Sequence, residues 1–233
     1  MVVTKQHQSN IMIPWKEIDC VLLDMDGTLL DLHFDNHFWL EHVPARYAEA
    51  KGIPLAEATE ELLGRYKSVE GTLDWYCVDH WSRELGLDIV LLKEEVDHLI
   101  SVHPHVIDFL DQLMCAGKER VLVTNAHQKT LALKMEKTRL AGFFNQVVSS
   151  HQLGLPKEHP EFWNRFQNLH PFDPKRTLFV DDSPAVLESA KAYGIGWVLA
   201  ILKPDSKQPV RENQEFLAVN DFSEISAGLR CEI

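Results

Sequence analysis

The segment Val21–Asp31 constrains this chain more than any other stretch. Cys20–Leu23 is a short apolar run, rich in leucine with one β-branched residue, and apolar on both faces. Such a run reads as a strand buried on both sides, the hallmark of a parallel sheet covered by helices. Its carboxyl end delivers Asp24 and Asp26, one residue apart, followed by Gly27 and Thr28. Two close carboxylates at a buried strand end are costly unless a cation or a catalytic task keeps them there. Gly27 permits a sharp turn where the backbone approaches another group.

The rest of the chain supports a sheet of this kind. From Pro104 onward, strands and helices alternate. A helix over 104–115 is closed by Gly117, followed by a strand over 120–124 and a helix over 128–140 closed near Gly142. A strand over 146–149, a helix over 160–169 and a strand over 177–180 come next. A helix over 184–193 closed by Gly194 and a last clear strand over 196–202 complete the series. This alternation predicts an α/β fold, a Rossmann-like doubly wound parallel sheet with helices on both faces. Between Leu32 and His103 there is no convincing strand. Helices are expected over 34–50, 56–66, 73–85 and 91–100, so an all-helical cap domain is inserted behind the first strand. The expected organisation is a discontinuous core, 15–31 and 104–230, a cap over 32–103, and a flexible arm over 1–14. The tail is polar until Phe216, with a short helix near 223–229.

At 233 residues the chain can bury one core and carry one sizeable insertion. Its net charge of -12 repels polynucleotides and anionic membranes, which excludes a nucleic acid polymer and a membrane as partners. Met1–Asn10 lacks the apolar stretch of a secretion signal, and no run is long enough to span a bilayer. Cys20, Cys77, Cys115 and Cys231 form no CxxC pair and read as reduced core residues. A cytoplasmic monomer is the expectation.

In sheets of this kind ligands bind at the carboxyl ends of the strands. Those ends carry Asp24 and Asp26, then Thr124 and Asn125, then a loop with Lys157, then Asp181 and Asp182 ahead of Ser183. Carboxylates, a hydroxyl and an ammonium on four strand ends suit metal-assisted phosphoryl transfer. Oxygen ligands without histidine favour Mg²⁺, which keeps several waters and a substrate phosphate. Lysine and threonine would hold the phosphoryl oxygens.

Asp24–Thr28, Thr124 after an apolar strand, Lys157, and the pair Asp181 and Asp182 resemble the four ordered motifs of the haloacid dehalogenase superfamily. The resemblance implies that Asp24 is the nucleophile that forms an aspartyl-phosphate, and that Asp26 protonates the leaving oxygen and later activates water. It implies that Thr124 and Lys157, with Asn125 beside them, bind the phosphate. It further implies that Asp24, the Asp26 backbone carbonyl, Asp182 and Asp181 hold Mg²⁺, with Mn²⁺ or Co²⁺ as substitutes. An acid at Asp26 suits an alkoxide leaving group and argues against dehalogenation, because a halide leaves without a proton. Segments 30–39, 72–81 and 122–127 also resemble the GMP/IMP nucleotidase branch of the superfamily. That implies hydrolysis of purine 5′-mononucleotides, a small phosphomonoester being the partner.

Other readings remain open at this level. A phosphatase or phosphomutase for a sugar phosphate or phosphoglycolate would use the same motifs. An inactive binding protein would share the fold. A signalling receiver would place its acidic pair early rather than last. Trp39, Trp75, Tyr76 and Trp81 have the spacing of a helix core as much as that of a base-stacking surface. Asp35 and Asn36 either reach a ribose hydroxyl or base edge or cap the first helix of the insert. His127 at a helix start, and His103 and His105 at the hinge, read as structural or loop residues.

Overall fold

The computed structural model describes residues 12–212 and 215–230. Six strands, β1 (Cys20–Leu23), β2 (Glu119–Thr124), β3 (Gln146–Ser149), β4 (Thr177–Asp181), β5 (Trp197–Ile201) and β6 (Leu217–Val219), form one parallel sheet in the order β3-β2-β1-β4-β5-β6. The helices are α1 (His33–His37), α2 (Val43–Lys51), α3 (Leu55–Val69), α4 (Val78–Leu85), α5 (Ile89–Glu95), α6 (Val106–Cys115), α7 (Gln128–Thr138), α8 (Ser150–Leu153), α9 (Phe162–Leu169) and α10 (Pro184–Tyr193).

Strand alternation builds two apolar layers. Val21, Leu23, Leu122, Leu178 and Val180 face one side, against Phe109, Leu110 and Leu113 of α6 and Leu131 of α7. Leu22, Val121, Val123 and Phe179 face the other, against Phe162, Trp163 and Phe166 of α9 and Val186 and Leu187 of α10. This is the expected doubly wound sheet. The chain runs outward from β1 through β2 to β3, then returns to β4 on the other side. The switch in strand order therefore falls between β1 and β4, where such folds bind ligands.

The segment between β1 and β2 is helical up to α6, and its buried residues form a third cluster around Phe34, Phe38, Leu62, Tyr66, Trp81 and Ile89. Two lengths of chain join it to the sheet and pair with each other. Leu30 bridges Val102, Asp31 N donates to Ser101 O, and His103 N donates to Leu29 O.

Several boundaries differ from the sequence reading for local reasons. The helix over 34–50 is one continuous coil from His33 to Lys51, with a π turn at Phe38–His42 that shifts the buried face midway. The helix over 73–85 is broken at Cys77, whose extended backbone starts α4 while its Sγ accepts from His80 N. The helix over 91–100 is α5 plus a short turn at Asp97–Leu99. Pro104 does not open α6. His105, with φ of 65°, reverses the chain out of the hinge, and the helix starts at Val106. α7 stops at Arg139, also left-handed, before Gly142 is reached. β6 begins at Leu217, just past the polar stretch that ends at Phe216, where no strand was expected, and the helix at 223–229 is only the turn Phe222–Glu224.

Most of the arm, residues 1–11, lies outside the described residues, but Ile13 is buried in the core and is no loose tail. Cys20 is buried as expected, and Cys77 is free and partly buried. Cys115 is the exception: it is exposed at the end of α6 and disulfide-bonded. Cys231 lies outside the described residues. Among the described residues no helix is long and apolar enough to cross a membrane.

Trp163 is fully buried, donates its indole N–H to Ser189 Oγ at 3.1 Å, and meets the Phe179 ring nearly edge-on with centroids 5.0 Å apart. Trp163→Ala removes this packing and one hydrogen bond, so urea unfolding is expected to show a loss of about 3–5 kcal/mol.

Candidate active site

Register fixes the site before any side chain is considered. Leu23 pairs with Val180 and with Leu122, and Asp24 N donates to Val180 O at 3.0 Å. Asp24 therefore emerges beside Asp181, with Thr124 at the end of the next strand over. The turn behind Asp24 is tight. Gly27 N donates to Leu30 O, and Gly27 has φ of +87°. A Cβ at Gly27 would lie 2.7 Å from Asp182 Cγ, so only glycine lets the β1 loop lie against the β4 loop.

Asp24, Asp181 and Asp182 each present a carboxylate oxygen within 4.8 Å of the others. Burial, the largest cause, pushes Asp24 and Asp181 up to about 6 and Asp182 up to about 7, and mutual repulsion adds to it. Lys157 opposes this from the middle of the cluster. Its Nζ donates to Asp24 Oδ1 at 2.5 Å, Asp181 Oδ2 at 2.7 Å and Val123 O at 3.1 Å. Although burial works against its charge, the two carboxylates hold the ammonium protonated. Arg211 donates to both the carbonyl and the carboxylate of Asp182 at 3.0 Å. A set of convergent, desolvated carboxylate oxygens fits a small hard cation such as Mg²⁺.

The remaining sequence candidates fall into two groups. Thr124 is buried at the site, and its Oγ1 accepts from Ala126 N. Asn125 is buried too, but its amide is spent on the lysine loop: Oδ1 accepts from Lys157 N, and Nδ2 donates to Glu158 Oε2, both at 2.9 Å. It holds Lys157 in place. Tyr76, from the helical insert, donates to Glu158 Oε1 at 2.8 Å and closes the same clamp.

Asp26 points away from Lys157, toward α7. Its Oδ1 accepts from Lys134 Nζ at 2.6 Å, and the same ammonium reaches Asp35 Oδ2 at 2.6 Å. Lys93 donates to the other Asp35 oxygen at 3.1 Å and stands 4.2 Å from the Phe38 ring centroid. Both lysines are almost fully buried, at 1% and 2% exposure, so this is a charge ladder inside the protein. Burial raises Asp26 to about 6 against the pull of Lys134; the two lysines overcome burial at Asp35 and lower it. Asp35 thus has both oxygens engaged. Asn36 donates to Asp205 Oδ2 at 2.7 Å. Sequence reasoning missed Lys134, Glu158 and Arg211 because their partners are distant in sequence; Lys93 stood out only as one of several insert cations.

The carboxylate cluster, Asp26 and Lys157 line one cavity of about 390 Å³, within the range of small-molecule sites. Asp24, Asp26, Thr124, Lys157 and Asp182 line one part of it, and Trp39, Trp75 and Tyr76 another. Trp39 and Trp75 are half-buried, Trp39 backed by the buried Tyr66 and Trp81 and Trp75 by Tyr66, at centroid distances of 5.6–5.9 Å.

Residues 18–194 match the family model of haloacid dehalogenase-like hydrolases. The chain belongs to that family. Its hydrolase fold also resembles a solved HAD phosphatase from Thermococcus onnurineus, with a TM-score of 0.72 and 23% identity over 89% of this chain and 95% of that one. The magnesium-bound HAD-hydrolase YfnB from Bacillus subtilis aligns with a TM-score of 0.57 and 20% identity over 89% and 96% of the two chains. Over 220 residues the sequence is 40% identical to the GMP/IMP nucleotidase YrfG of Escherichia coli (strain K12), covering 94% of this chain and 99% of that protein. A phosphoglycolate phosphatase of Pseudomonas syringae is 24% identical, covering 89% and 78%.

The raised carboxyls give the hydrolase a pH signature. Asp24, Asp181 and Asp182 bind protons more tightly folded than unfolded, where the ordinary value is 3.8. The stability that they contribute is complete below about pH 4 and is lost as pH rises through about 6 to 7. A cation competes with those protons. Mg²⁺ is therefore expected to raise the melting temperature more above pH 7 than below pH 6, measured with and without the ion at each pH. Asp182→Asn should remove the response. Lys134→Met leaves Asp26 and Asp35 facing each other in the interior, and denaturant unfolding is expected to show a loss of about 3–5 kcal/mol.

Proposed function

We propose that the chain is a phosphomonoesterase working through an aspartyl-phosphate on Asp24, and that its preferred substrates are purine 5′-mononucleotides such as GMP and IMP. The observation that carries this reading is the pairing within one cavity of the Asp24–Lys157–Asp182 cluster with the half-exposed Trp39 and Trp75. The kinship with a GMP/IMP nucleotidase along nearly the whole chain supports the same substrate class.

In this reading Asp24 Oδ attacks phosphorus in line with the ester oxygen. Asp26, held near neutrality by burial, gives that oxygen its proton as the P–O bond breaks. The nucleoside leaves. Asp26, now a carboxylate, takes a proton from water, which attacks the phosphoryl group on Asp24 and releases inorganic phosphate. Lys157 and the Thr124 hydroxyl receive the phosphoryl oxygens, while Asn125 and Glu158 keep the lysine in place. Asp24, the Asp26 carbonyl and Asp182, with Asp181 beside them, would hold Mg²⁺, whose charge would screen carboxylate from phosphate. Mn²⁺ and Co²⁺ offer the same charge and oxygen preference. The helical segment 32–103 serves as a cap over the core, 15–31 and 104–230. Trp39 and Trp75 stack on the base, and the protein acts as a monomer on a small soluble ester.

Phosphate release should be measured over mononucleotides, sugar phosphates and phosphoglycolate. A base stacked on an aromatic side chain contributes roughly 1–3 kcal/mol. GMP and IMP should therefore exceed the panel in kcat/KM by about tenfold or more, and Trp75→Ala should erase that margin without touching the sugar phosphates. Nucleotides no better than the panel would remove the substrate assignment. Asp24→Asn should lower turnover of every ester by roughly a thousandfold or more while leaving the melting curve cooperative.

A further inference from the structure

Beside the carboxylate cluster, a second group of potential ligands spans the junction between the helical insert and the strand ends. Cys77 starts α4 in the insert, His127 caps α7 after β2, and His151 lies in α8 after β3. One ligand atom from each falls within 4.8 Å of the other two. The imidazoles meet at 83° with centroids 4.8 Å apart, and Asp79 Oδ2 stands 3.8 Å from His127 Nε2.

We propose that Cys77, His127 and His151 form a metal site for a borderline divalent cation of the Zn²⁺ class, and that its occupation staples the insert to the sheet.

His151 carries the strongest sign. Its Nε2 is buried without a hydrogen-bond partner. A buried imidazole nitrogen left unpaired by the fold calls for a ligand, and a metal ion is one that satisfies it. Donor chemistry selects the ion. A sulfur and two imidazoles suit a tetrahedral Zn²⁺, whereas the all-oxygen set at Asp24 suits Mg²⁺. Metal–ligand bonds of about 2.0–2.3 Å require the three ligand atoms to close by roughly 1 Å, within reach of side-chain rotation. On binding, the Cys77 S–H proton passes to solvent, the thiolate takes up the ion, and Asp79 or water completes the tetrahedron. A comparable grouping of Cys20, Glu119 and His170 is a poorer candidate, because burial and Glu119 hold the Cys20 thiol protonated.

Position gives the site its meaning. Cys77 belongs to the insert and both histidines to the sheet side, and His127 also lines the substrate cavity. Lys129 already pairs with Asp79 across the same seam at 2.7 Å. An ion here ties the insert down over the cavity, and slows entry and release. That regulatory consequence rests on the phosphatase reading; the metal site does not.

The test titrates Co²⁺ into the full-length protein with Mg²⁺ in excess, and reads the thiolate-to-cobalt charge-transfer absorption that an all-oxygen site cannot produce. One equivalent should bring the band to saturation, and Zn²⁺ should displace it. Cys77→Ser should abolish the band, His151→Gln should weaken cobalt binding by more than the roughly 10–100-fold that loss of a mere supporting partner brings, and Cys20→Ser should leave both unchanged. Absence of the band in the wild type, or its survival in Cys77→Ser, overturns the site. In parallel, Zn²⁺ should slow hydrolysis of an aryl phosphate severalfold by the wild type and not by Cys77→Ser; unslowed wild-type hydrolysis with the ion bound overturns the staple. A protein that binds cobalt as described yet hydrolyses no ester would retain the site and lose the phosphatase reading.

Discussion

The structure depends on one electrostatic constraint: four carboxyl groups gathered at the carboxyl edge of β1 and β4. Two like charges 4 Å apart repel by about 4 kcal/mol at the effective dielectric of a partly buried site. Desolvation adds to that, as the raised Asp24, Asp26, Asp181 and Asp182 show. No sheet would gather such groups without matching cations. Lys157 answers for Asp24 and Asp181, Lys134 for Asp26, and Arg211 for Asp182. Each comes from a different part of the chain after β2. The acidic edge is stable only once the sheet has brought those parts together, so its chemistry and its tertiary structure form as one unit.

That dependence separates what could be read in advance from what could not. Asp24, Thr124 and Asp181 each sit at or just beyond a strand end, with Lys157 in the loop that follows β3 and the short α8, and the strands announce themselves as local apolar runs. Parallel pairing then aligns the ends without further information, since Leu23 opposite both Val180 and Leu122 leaves Asp24 one direction to go. Lys134 offers no such signal. It sits in α7 among Lys129 and Lys137, and nothing local tells the buried lysine from the two exposed ones that pair at the surface. Its partners lie 108 and 99 positions away. β6 escaped for another reason: it is a three-residue edge strand whose Leu217 is exposed, too short and too weakly patterned to rise above its polar surroundings.

Asn125 has a structural task that its location alone does not reveal. Its place after β2 suggested a hand on the phosphate. The structure spends its amide on Lys157 N and Glu158, and Tyr76 of the insert takes the other Glu158 oxygen. The direction of Lys157 is thus set jointly by a strand end and by the insert. Asp35 follows the same logic, since a carboxylate between two buried ammonium groups serves as their counter-ion.

The insert therefore does more than supply aromatic rings. Asp26, Lys134, Asp35 and Lys93 alternate in sign from the sheet edge to the middle of the insert's own core, and Phe34 and Phe38 pack against the outer lysine. Lys134 is shared between Asp26 and Asp35, so its pull on Asp26 is divided, and the charge of Asp35 adds to the burial that raises Asp26. The insert thereby sets part of the electrostatic environment of a carboxyl at the sheet edge.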